Sequence, residues 1–262
     1  MRDYINEMLK RKDLLIYLVK SGLKAEHRNS YLGYFWWLLD PLLNVLVYYF
    51  LVVVILGRNE GENYAVFLVI GLIGWRWMNT TVSSSARAIT RQSAIINQVY
   101  LPKSIFSIAV SFTQMVNFVF GMVVIAIFLI AFGVIPGWQV VFLPLIILVQ
   151  LVFLLSISLS ISYVCVFIRD VDNILTHILR VFFYASPIIW EGGRLRRLGP
   201  EYSWIVDYNP VAIILDSYRA VIMYQQLPQI TGLLVILTVS FILIVGMIFF
   251  YSKNEHKIIK AL

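Results

Sequence analysis

The distribution of apolar residues along the chain predicts a membrane protein built from helices. Largely uncharged stretches of about 20 residues recur from Phe35 to Tyr251, and polar connections separate them. A helix needs roughly 20 apolar residues to cross a hydrocarbon core of about 30 Å. We therefore predict an all-α membrane protein with six transmembrane helices, over residues 35–57, 64–86, 104–134, 138–168, 171–190 and 230–251.

A short apolar segment, residues 211–224, decides how often the chain crosses the membrane. It contains Asp216 and Arg219, and its length makes a full crossing unfavourable. With six crossings, the predicted cytoplasmic parts hold 15 of the 21 basic residues when residues 169–180 are counted as cytoplasmic, in accordance with the positive-inside rule. Arg180 is one of the 15, and a deeper position in the fifth span is the alternative for it. We therefore predict that residues 191–229 form an external re-entrant region and that both termini are cytoplasmic.

The first 34 residues are basic and amphipathic. They carry seven Lys or Arg residues before any long apolar run, which is unlike a cleaved secretory signal. Leu15 and Leu18 recur at helical spacing, and Lys20 lies on another face. Residues 1–34 are predicted to be an N-terminal amphipathic interfacial helix region, and residues 252–262 a basic cytoplasmic tail. A lipid anchor and a gate for lateral access of a lipid-linked substrate both fit the N-terminal segment.

The composition agrees with lipid as the solvent for much of the chain. The 262 residues are 60% hydrophobic and 13% charged, which is too apolar for a soluble domain. Membrane topology accounts for the formal net charge of +7, so we expect no binding to nucleic acid. The single cysteine, Cys165, excludes an intrachain disulfide and a four-cysteine metal site. The expected location is the cytoplasmic membrane.

Polar residues in the second predicted helix indicate a substrate path. Its inner half contains Asn79, two threonines and three serines, and Arg76 lies between two tryptophans. Such side chains avoid hydrocarbon, so they should meet another helix or a hydrated path. Arg76 is the best candidate for contacting an anionic group, and a structural ion pair is an equal alternative. The substrate-path candidates are Arg28, Tyr31, Tyr34, Trp36, Trp37, Trp75, Arg76 and Trp77. For Tyr31, Tyr34, Trp36 and Trp37, an aromatic belt at the membrane boundary is the default explanation, and a stacking surface for sugar rings is the alternative.

A short amphipathic segment in the predicted cytoplasmic connection 87–103 indicates a docking surface. Ile95, Ile96 and Val99 recur at helical spacing among polar residues, and both a soluble partner and a lipid surface fit this face. The partner-coupling candidates are Arg91, Ile95, Ile96, Val99, Pro102, Arg169 and Asp170. In the external region, three arginines either attract acidic material or pair with acidic neighbours. These external candidates are Arg194, Arg196 and Arg197.

The sequence lacks the motifs of a nucleotide-binding or metal-dependent enzyme. No Gly-rich loop followed by Lys and Ser or Thr occurs, so ATP-driven work requires another chain. The histidines are far apart and form no His-Glu-x-x-His pattern. We therefore expect no catalytic residue, metal or cofactor in this chain. A membrane enzyme acting on polyprenyl-phosphate lipids is a distant alternative, for which Asp170 and Asp172 are the one candidate pair.

Several motifs resemble the ABC-2 type permeases that export polysaccharides and polyol phosphates. They occur in the family's order over nearly the whole chain. The motifs are Arg28-Asn29-Ser30-Tyr31-Leu32-Gly33 leading through Trp36-Trp37 to Asp40-Pro41-Leu42, Val99-Tyr100-Leu101-Pro102-Lys103, Val166-Phe167-Ile168-Arg169-Asp170-Val171, Ser186-Pro187-Ile188-Ile189-Trp190, and Asn209-Pro210 followed by Tyr218-Arg219.

This resemblance implies a function and a set of partners. It implies a homodimer of six-helix subunits, each docked to a separate nucleotide-binding subunit that binds ATP and Mg. It also implies short external re-entrant helices and a lipid-linked glycan or polyol-phosphate polymer as substrate. The compact length and the external arginines favour wall teichoic acid as the polymer. The alternative is an O-antigen or a capsular polysaccharide.

Overall fold

The computed structural model describes residues 2–27, 31–55, 57, 63–96, 101–168, 170–193 and 200–261. Within these residues it contains helices and no strands, which confirms the predicted all-α class. The helices are α1 (Arg2–Lys10), α2 (Lys12–His27), α3 (Trp36–Tyr49), α4 (Tyr64–Ala86), α5 (Ser93–Ile96), α6 (Ser104–Ala131), α7 (Leu143–Phe167), α8 (Val171–Ala185), α9 (Pro200–Asp207), α10 (Pro210–Ile222) and α11 (Ile230–Ala261). A π-helical turn, Phe50–Ile55, continues α3, and 3-10 turns lie at Gly33–Phe35, Thr90–Gln92 and Trp138–Phe142.

Among the described residues, five helical segments are long and apolar enough to cross a membrane. They are Leu38–Ile55, Tyr64–Ala86, Ser104–Ala131, Trp138–Phe167 and Ile230–Ala261. The fifth predicted crossing, 171–190, is helical only as far as Ala185. Its 15 residues rise about 22 Å, which is short of a hydrocarbon core of about 30 Å. The crossing over residues 171–190, and with it the total of six, therefore stays a prediction.

Helix α4 lies at the centre of the bundle. In the apolar, membrane-length stretch of α4, 83% of the residues are buried, whereas the corresponding share is 17% to 28% in the other four segments. It packs against α3, α6, α7, α8 and α10, and the main hydrophobic core forms around it. A polar side chain on α4 must therefore meet another helix or an open cleft, because little of this helix faces the surroundings.

A second core joins the N-terminal helices to the last helix. Tyr4 and Ile258 are buried in it together with the start of α6. The hydroxyl oxygens of Tyr4 and Ser104 lie 2.9 Å apart. Burial raises the pKa of the Tyr4 phenol above its usual value, so Tyr4 stays neutral in this contact. This core fixes α1 and α2 against one end of the bundle.

The C-terminal segment is a packed part of the bundle. Residues that were predicted to form a tail continue α11, which bends at Asn254 and ends at Ala261. Lys103, at the start of α6, lies 3.3 Å from the Glu255 carboxylate, and both side chains are almost fully buried. Because a buried charge needs a partner, this ion pair holds the end of the chain beside the 87–103 connection.

Helix α10 is short and buried among other helices. Ten of its 13 residues are buried. The Asn209 side-chain oxygen caps it by accepting a hydrogen bond from the Val211 backbone N–H at 3.0 Å, and Pro210 occupies its first turn. At about 20 Å it is too short to cross a membrane, and the six predicted crossings do not include it. Its external placement stays a prediction.

The guanidinium of Arg219 holds α10 against α4 and against the turn that follows α8. Arg219 is 1% exposed and donates to the carbonyl oxygens of Pro187 at 2.5 Å and Ile188 at 2.9 Å. Its guanidinium carbon lies 3.5 Å from the centroid of the Phe67 ring. Gly71 makes this approach possible. A Cβ atom there would overlap the guanidinium and lie 2.7 Å from the Ile188 carbonyl oxygen.

We expect Gly71→Ala to destabilise the protein by about 1–3 kcal/mol, because the added methyl group displaces a buried cation from its acceptors. Thermal unfolding of the purified protein in detergent measures the effect as a lower midpoint. Gly246→Ala is the matched control, since a Cβ atom there has nothing within 4 Å. Equal midpoints for the two variants would contradict this prediction, since Arg219 would then move aside without lowering the stability of the protein.

Candidate functional site

Helix α4 presents a polar strip, formed by Arg76, Asn79, Thr80 and Ser83, to two adjoining clefts. All four side chains line both clefts. The α8-side cleft has a volume of about 590 Å³ and lies between α3, α4 and α8. The α6-side cleft has a volume of about 350 Å³ and lies between α3, α4 and α6. The polar strip therefore borders open space near the middle of the most buried helix.

The other polar residues of this half of α4 contact neighbouring helices. The hydroxyl of Ser85 lies 2.6 Å from that of Ser158 on α7, and Ser158 also donates to the Ser107 carbonyl oxygen on α6 at 3.1 Å. Ser162 lies 2.5 Å from the Ser107 hydroxyl. These contacts give the serines of α7 a packing role between α4, α6 and α7. The sequence left a helix contact and a hydrated path open for the polar half of α4. The structure shows helix contacts at Ser85 and open clefts along the polar strip.

Arg76 forms an ion pair with Asp40 of α3 at the α8-side cleft. Its Nη2 atom lies 2.8 Å from the Asp40 Oδ2 atom, and the two side chains are 39% and 43% exposed. The ion-pair role that the sequence allowed for Arg76 is thus present. A pair this exposed contributes about 0–1 kcal/mol to stability, so either charge can exchange its partner for a ligand at little cost.

A second arginine lines the α8-side cleft. Arg180 of α8 is exposed and, among the described residues, takes part in no salt bridge. Sequence reasoning assigned no site role to Arg180, because hydropathy does not determine how deep it lies in the fifth predicted span. Together with Arg76, it places two positive charges at a cleft that no carboxylate lines among the described residues, while Asp40 contacts Arg76 from α3. Such a cleft favours an anionic group, and guanidinium groups bind phosphate oxygens well.

Aromatic side chains form one wall of the α8-side cleft. The ring centroids of Trp75 and Phe183 lie 5.6 Å apart, as do those of Tyr48 and Phe183. Tyr184 lines the same cleft and is exposed. Aromatic walls combined with a few convergent polar groups are typical of sites for organic ligands. The structure thus brings the predicted path residues Trp75 and Arg76 together.

The described side chains among the remaining substrate-path candidates do not line the α8-side cleft. Trp77 borders the α6-side cleft, but it is buried and stacks on Phe118 at 4.4 Å between ring centroids, so its ring belongs mainly to the core. Tyr31 is exposed and Trp36 is partly exposed, and neither lines the two clefts. Three candidates cannot be placed in this way. Arg28 lies outside the described residues, and so do the side chains of Tyr34 and Trp37.

The predicted docking face on the 87–103 connection requires a correction. Ile96 is 4% exposed and packs in the second core, so the prediction that its side chain is available to a partner is wrong. Pro102 is also buried, whereas Arg91 and Asp170 are exposed. The remaining coupling and external candidates are outside the described residues or have undescribed side chains. They are Ile95, Val99, Arg169, Arg194, Arg196 and Arg197.

The acidic pair suggested for an enzyme does not form a paired site. Asp172 accepts a hydrogen bond from Arg87 Nε at 2.5 Å, while Asp170 occupies the position before α8. Within the described residues, no group of three or more His, Cys, Asp or Glu side chains is placed to hold a metal ion. Asp172 therefore has a structural role in joining α8 to the end of α4.

We predict that a cysteine at position 83 reacts with a hydrophilic maleimide and that a cysteine at position 85 does not. Ser83 is exposed in the clefts, whereas Ser85 is fully buried against Ser158 only two residues away. Ser83→Cys and Ser85→Cys would be compared in a Cys165→Ala background, which removes the native thiol. We expect labelling of membrane preparations to be at least about tenfold faster at position 83. Equal slow rates would contradict a hydrated path along the polar strip.

Comparisons with known proteins relate the chain to one family of transporters. Residues 13–224 match the family described as ABC-2 type transporter. The chain is 30% identical over 253 residues, 96% of each chain, to the O-antigen export system permease protein RfbA of Myxococcus xanthus. It is 30% identical over 213 residues, 80% of each chain, to a Klebsiella pneumoniae protein of the same description, and 29% identical over 229 residues to another.

Proposed function

This chain belongs to the ABC-2 type transporter family, and on that premise we propose that it is the permease of an exporter for a lipid-linked, O-antigen-like polysaccharide. The α8-side cleft is the observation that carries the proposal, since it combines two arginines with an aromatic wall. The similarity to O-antigen export permeases favours this polymer over wall teichoic acid, which the external arginines and the compact length had favoured.

The chemistry of the cleft matches the two parts of such a substrate. A lipid-linked polysaccharide has a diphosphate next to sugar rings. Arg76 and Arg180 are suited to the negative charge of the diphosphate, and Trp75, Phe183 and Tyr184 supply faces on which sugar rings can lie. Asp40 keeps Arg76 paired until an anion replaces it. The polar strip on α4 then offers weaker contacts along the path.

The energy for export comes, in this proposal, from separate ATPase subunits. The sequence contains no Gly-rich loop for nucleotide phosphates, so ATP and Mg would bind the partner chain. We propose that two copies of the permease assemble with two ATPase subunits, with both permease termini in the cytoplasm. ATP binding would favour one arrangement of the permease dimer and hydrolysis would release it.

The central test is reconstitution of the permease with its ATPase subunit in liposomes. We expect ATP hydrolysis to increase when a lipid-linked O-antigen glycan is included, and the permease alone to hydrolyse no ATP. A lipid-linked teichoic acid precursor serves as the comparison. Stimulation by that precursor alone would restore the teichoic acid interpretation. Failure to form any complex with an ATPase subunit would contradict the proposed function.

We predict opposite sensitivities for the two members of the Arg76–Asp40 pair. Arg76→Gln should reduce polymer export at least about tenfold, because the cleft loses a cation that contacts the diphosphate. Asp40→Asn should preserve export, because Arg76 stays available. Arg180→Gln should resemble Arg76→Gln. Export assays normalised to the amount of assembled complex measure this, and Lys257→Gln, an exposed change on α11, is the control.

The result separates the two roles of Arg76. If the ion pair has only a structural role, Arg76→Gln and Asp40→Asn will impair export to the same extent, since each breaks the same contact. That outcome, with normal assembly of both variants, would contradict a substrate contact by Arg76.

A further inference from the structure

A third cleft lies where the N-terminal helices meet the bundle. This α2-side cleft has a volume of about 430 Å³ and is bounded by α2, the end of α4, the 3-10 turn Thr90–Gln92 and the first half of α6. Gly22 seats α2 closely on α6, since a Cβ atom there would lie 3.1 Å from Thr113 Oγ1. The cleft is therefore a feature built by helix packing and not a gap left by a loose terminus.

The α2-side cleft is lined by one cation that has no salt-bridge partner among the described residues. Arg91 lines the cleft, is exposed and forms no salt bridge with the residues that the structure describes. Its neighbour Arg87 differs, because Arg87 pairs with Asp172. Among the described residues that line this cleft, Arg91 is the only charged one. The electrostatic potential of the cleft is therefore positive, and an anionic ligand would neutralise it.

The rest of the lining is divided between polar and apolar groups. Ser21 and Gln92 provide hydrogen-bonding groups beside Arg91, while Leu18 and Phe106 line the cleft with apolar surface. A free inorganic anion would make no favourable contact with the apolar part of the lining. An amphipathic molecule with a phosphate at the junction of its polar and apolar ends matches both parts.

The α2-side cleft adjoins the clefts described above. Ser84 and Gln114 line both it and the α6-side cleft, and the α6-side cleft shares the polar strip of α4 with the α8-side cleft. The α2-side cleft therefore lies at one end of a connected series of clefts, and the other two lie beside each other along the polar strip of α4. A ligand held at Arg91 would lie at one end of this series.

We propose that the α2-side cleft is a binding site for the phosphate-bearing headgroup of a lipid, in which Arg91 pairs with the phosphate. In naming the carrier lipid of the exported polymer as its ligand, the proposal rests on the proposed function. An anionic phospholipid has the same phosphate chemistry and is the other source of such a headgroup. In both cases the apolar chain lies along α2 and the phosphate at Arg91.

The test is direct lipid binding by the permease assembled with its ATPase subunits in phosphatidylcholine nanodiscs. The probe is geranylgeranyl diphosphate carrying a fluorophore on its terminal isoprene unit. We expect Arg91→Gln to weaken binding at least about tenfold, because a charge-assisted contact is lost. Arg91→Lys should retain most of the affinity. Ala25→Phe fills the cleft from an exposed position on α2 and should also weaken binding.

Lys24→Gln is the matched control, because it removes a positive charge from the exposed face of α2 next to Ala25 without lining the cleft. It should leave binding unchanged. Native affinity in both Arg91→Gln and Ala25→Phe would overturn the proposal. An equal loss in Lys24→Gln would also overturn it, since binding would then depend on general surface charge.

Competition identifies the source of the phosphate. If added phosphatidylglycerol leaves probe binding unchanged, the site prefers the diphosphate lipid. If phosphatidylglycerol displaces the probe in proportion to its amount, the ligand is an anionic phospholipid and the headgroup site stands. Displacement by inorganic pyrophosphate at the same concentration as the lipid would refute the lipid part. Because binding is measured without export, a failed export assay would leave this result intact and identify the proposed function as the part in error.

Discussion

The architecture depends on one buried cation, the guanidinium of Arg219. It joins α10 to the carbonyl oxygens of the turn after α8 and lies over Phe67 of α4. The same turn is held from the start of α10, where the Asn209 amide donates to the Ser186 hydroxyl at 2.9 Å. A guanidinium away from water is costly without acceptors. The Nε atom of Arg219 has no hydrogen-bond partner among the described residues, so its Nη1 and Nη2 atoms depend on the carbonyl oxygens of this turn, and α10 and the turn cannot separate without loss. Helix α10 thereby fixes the position of α4, and with it the polar strip.

A chain of polar contacts extends this arrangement to α7. The Tyr218 hydroxyl donates to the Gln150 Oε1 atom at 2.8 Å, and Gln150 donates from Nε2 to the Gly74 carbonyl oxygen at 3.0 Å. These side chains are buried, and each finds its partner on a different helix. Such networks specify one arrangement of helices, whereas apolar contacts alone would allow several. The hydrogen bond from Gln150 thus holds α4 at Gly74. Arg76, which forms the partly exposed ion pair with Asp40, lies two residues further along the same helix.

The structure separates charges that stabilise the fold from charges that are available to ligands. Arg219 and Lys103 are buried with partners, whereas Arg180 and Arg91 line clefts and form no salt bridge with described residues. Arg76 is intermediate, since it is paired and still partly exposed. This gradation follows from desolvation. A buried charge must keep its partner, while a hydrated one exchanges partners at little cost.

The sequence by itself determined the class of the protein, its membrane-length helices and its family resemblance, because hydropathy and short motifs are local properties. It also indicated α4 as the polar helix and excluded α10 as a crossing, since both follow from composition and length. Only the tertiary structure decided which polar residues of α4 face a cleft, that Ile96 is buried, and that Arg76 pairs with Asp40, 36 positions away. It also brought the motifs around Ser186, Asn209 and Arg219 to one place. The physical reason is that a polar side chain's role is set by the groups that other helices place beside it, and hydropathy along one helix contains no information about those neighbours.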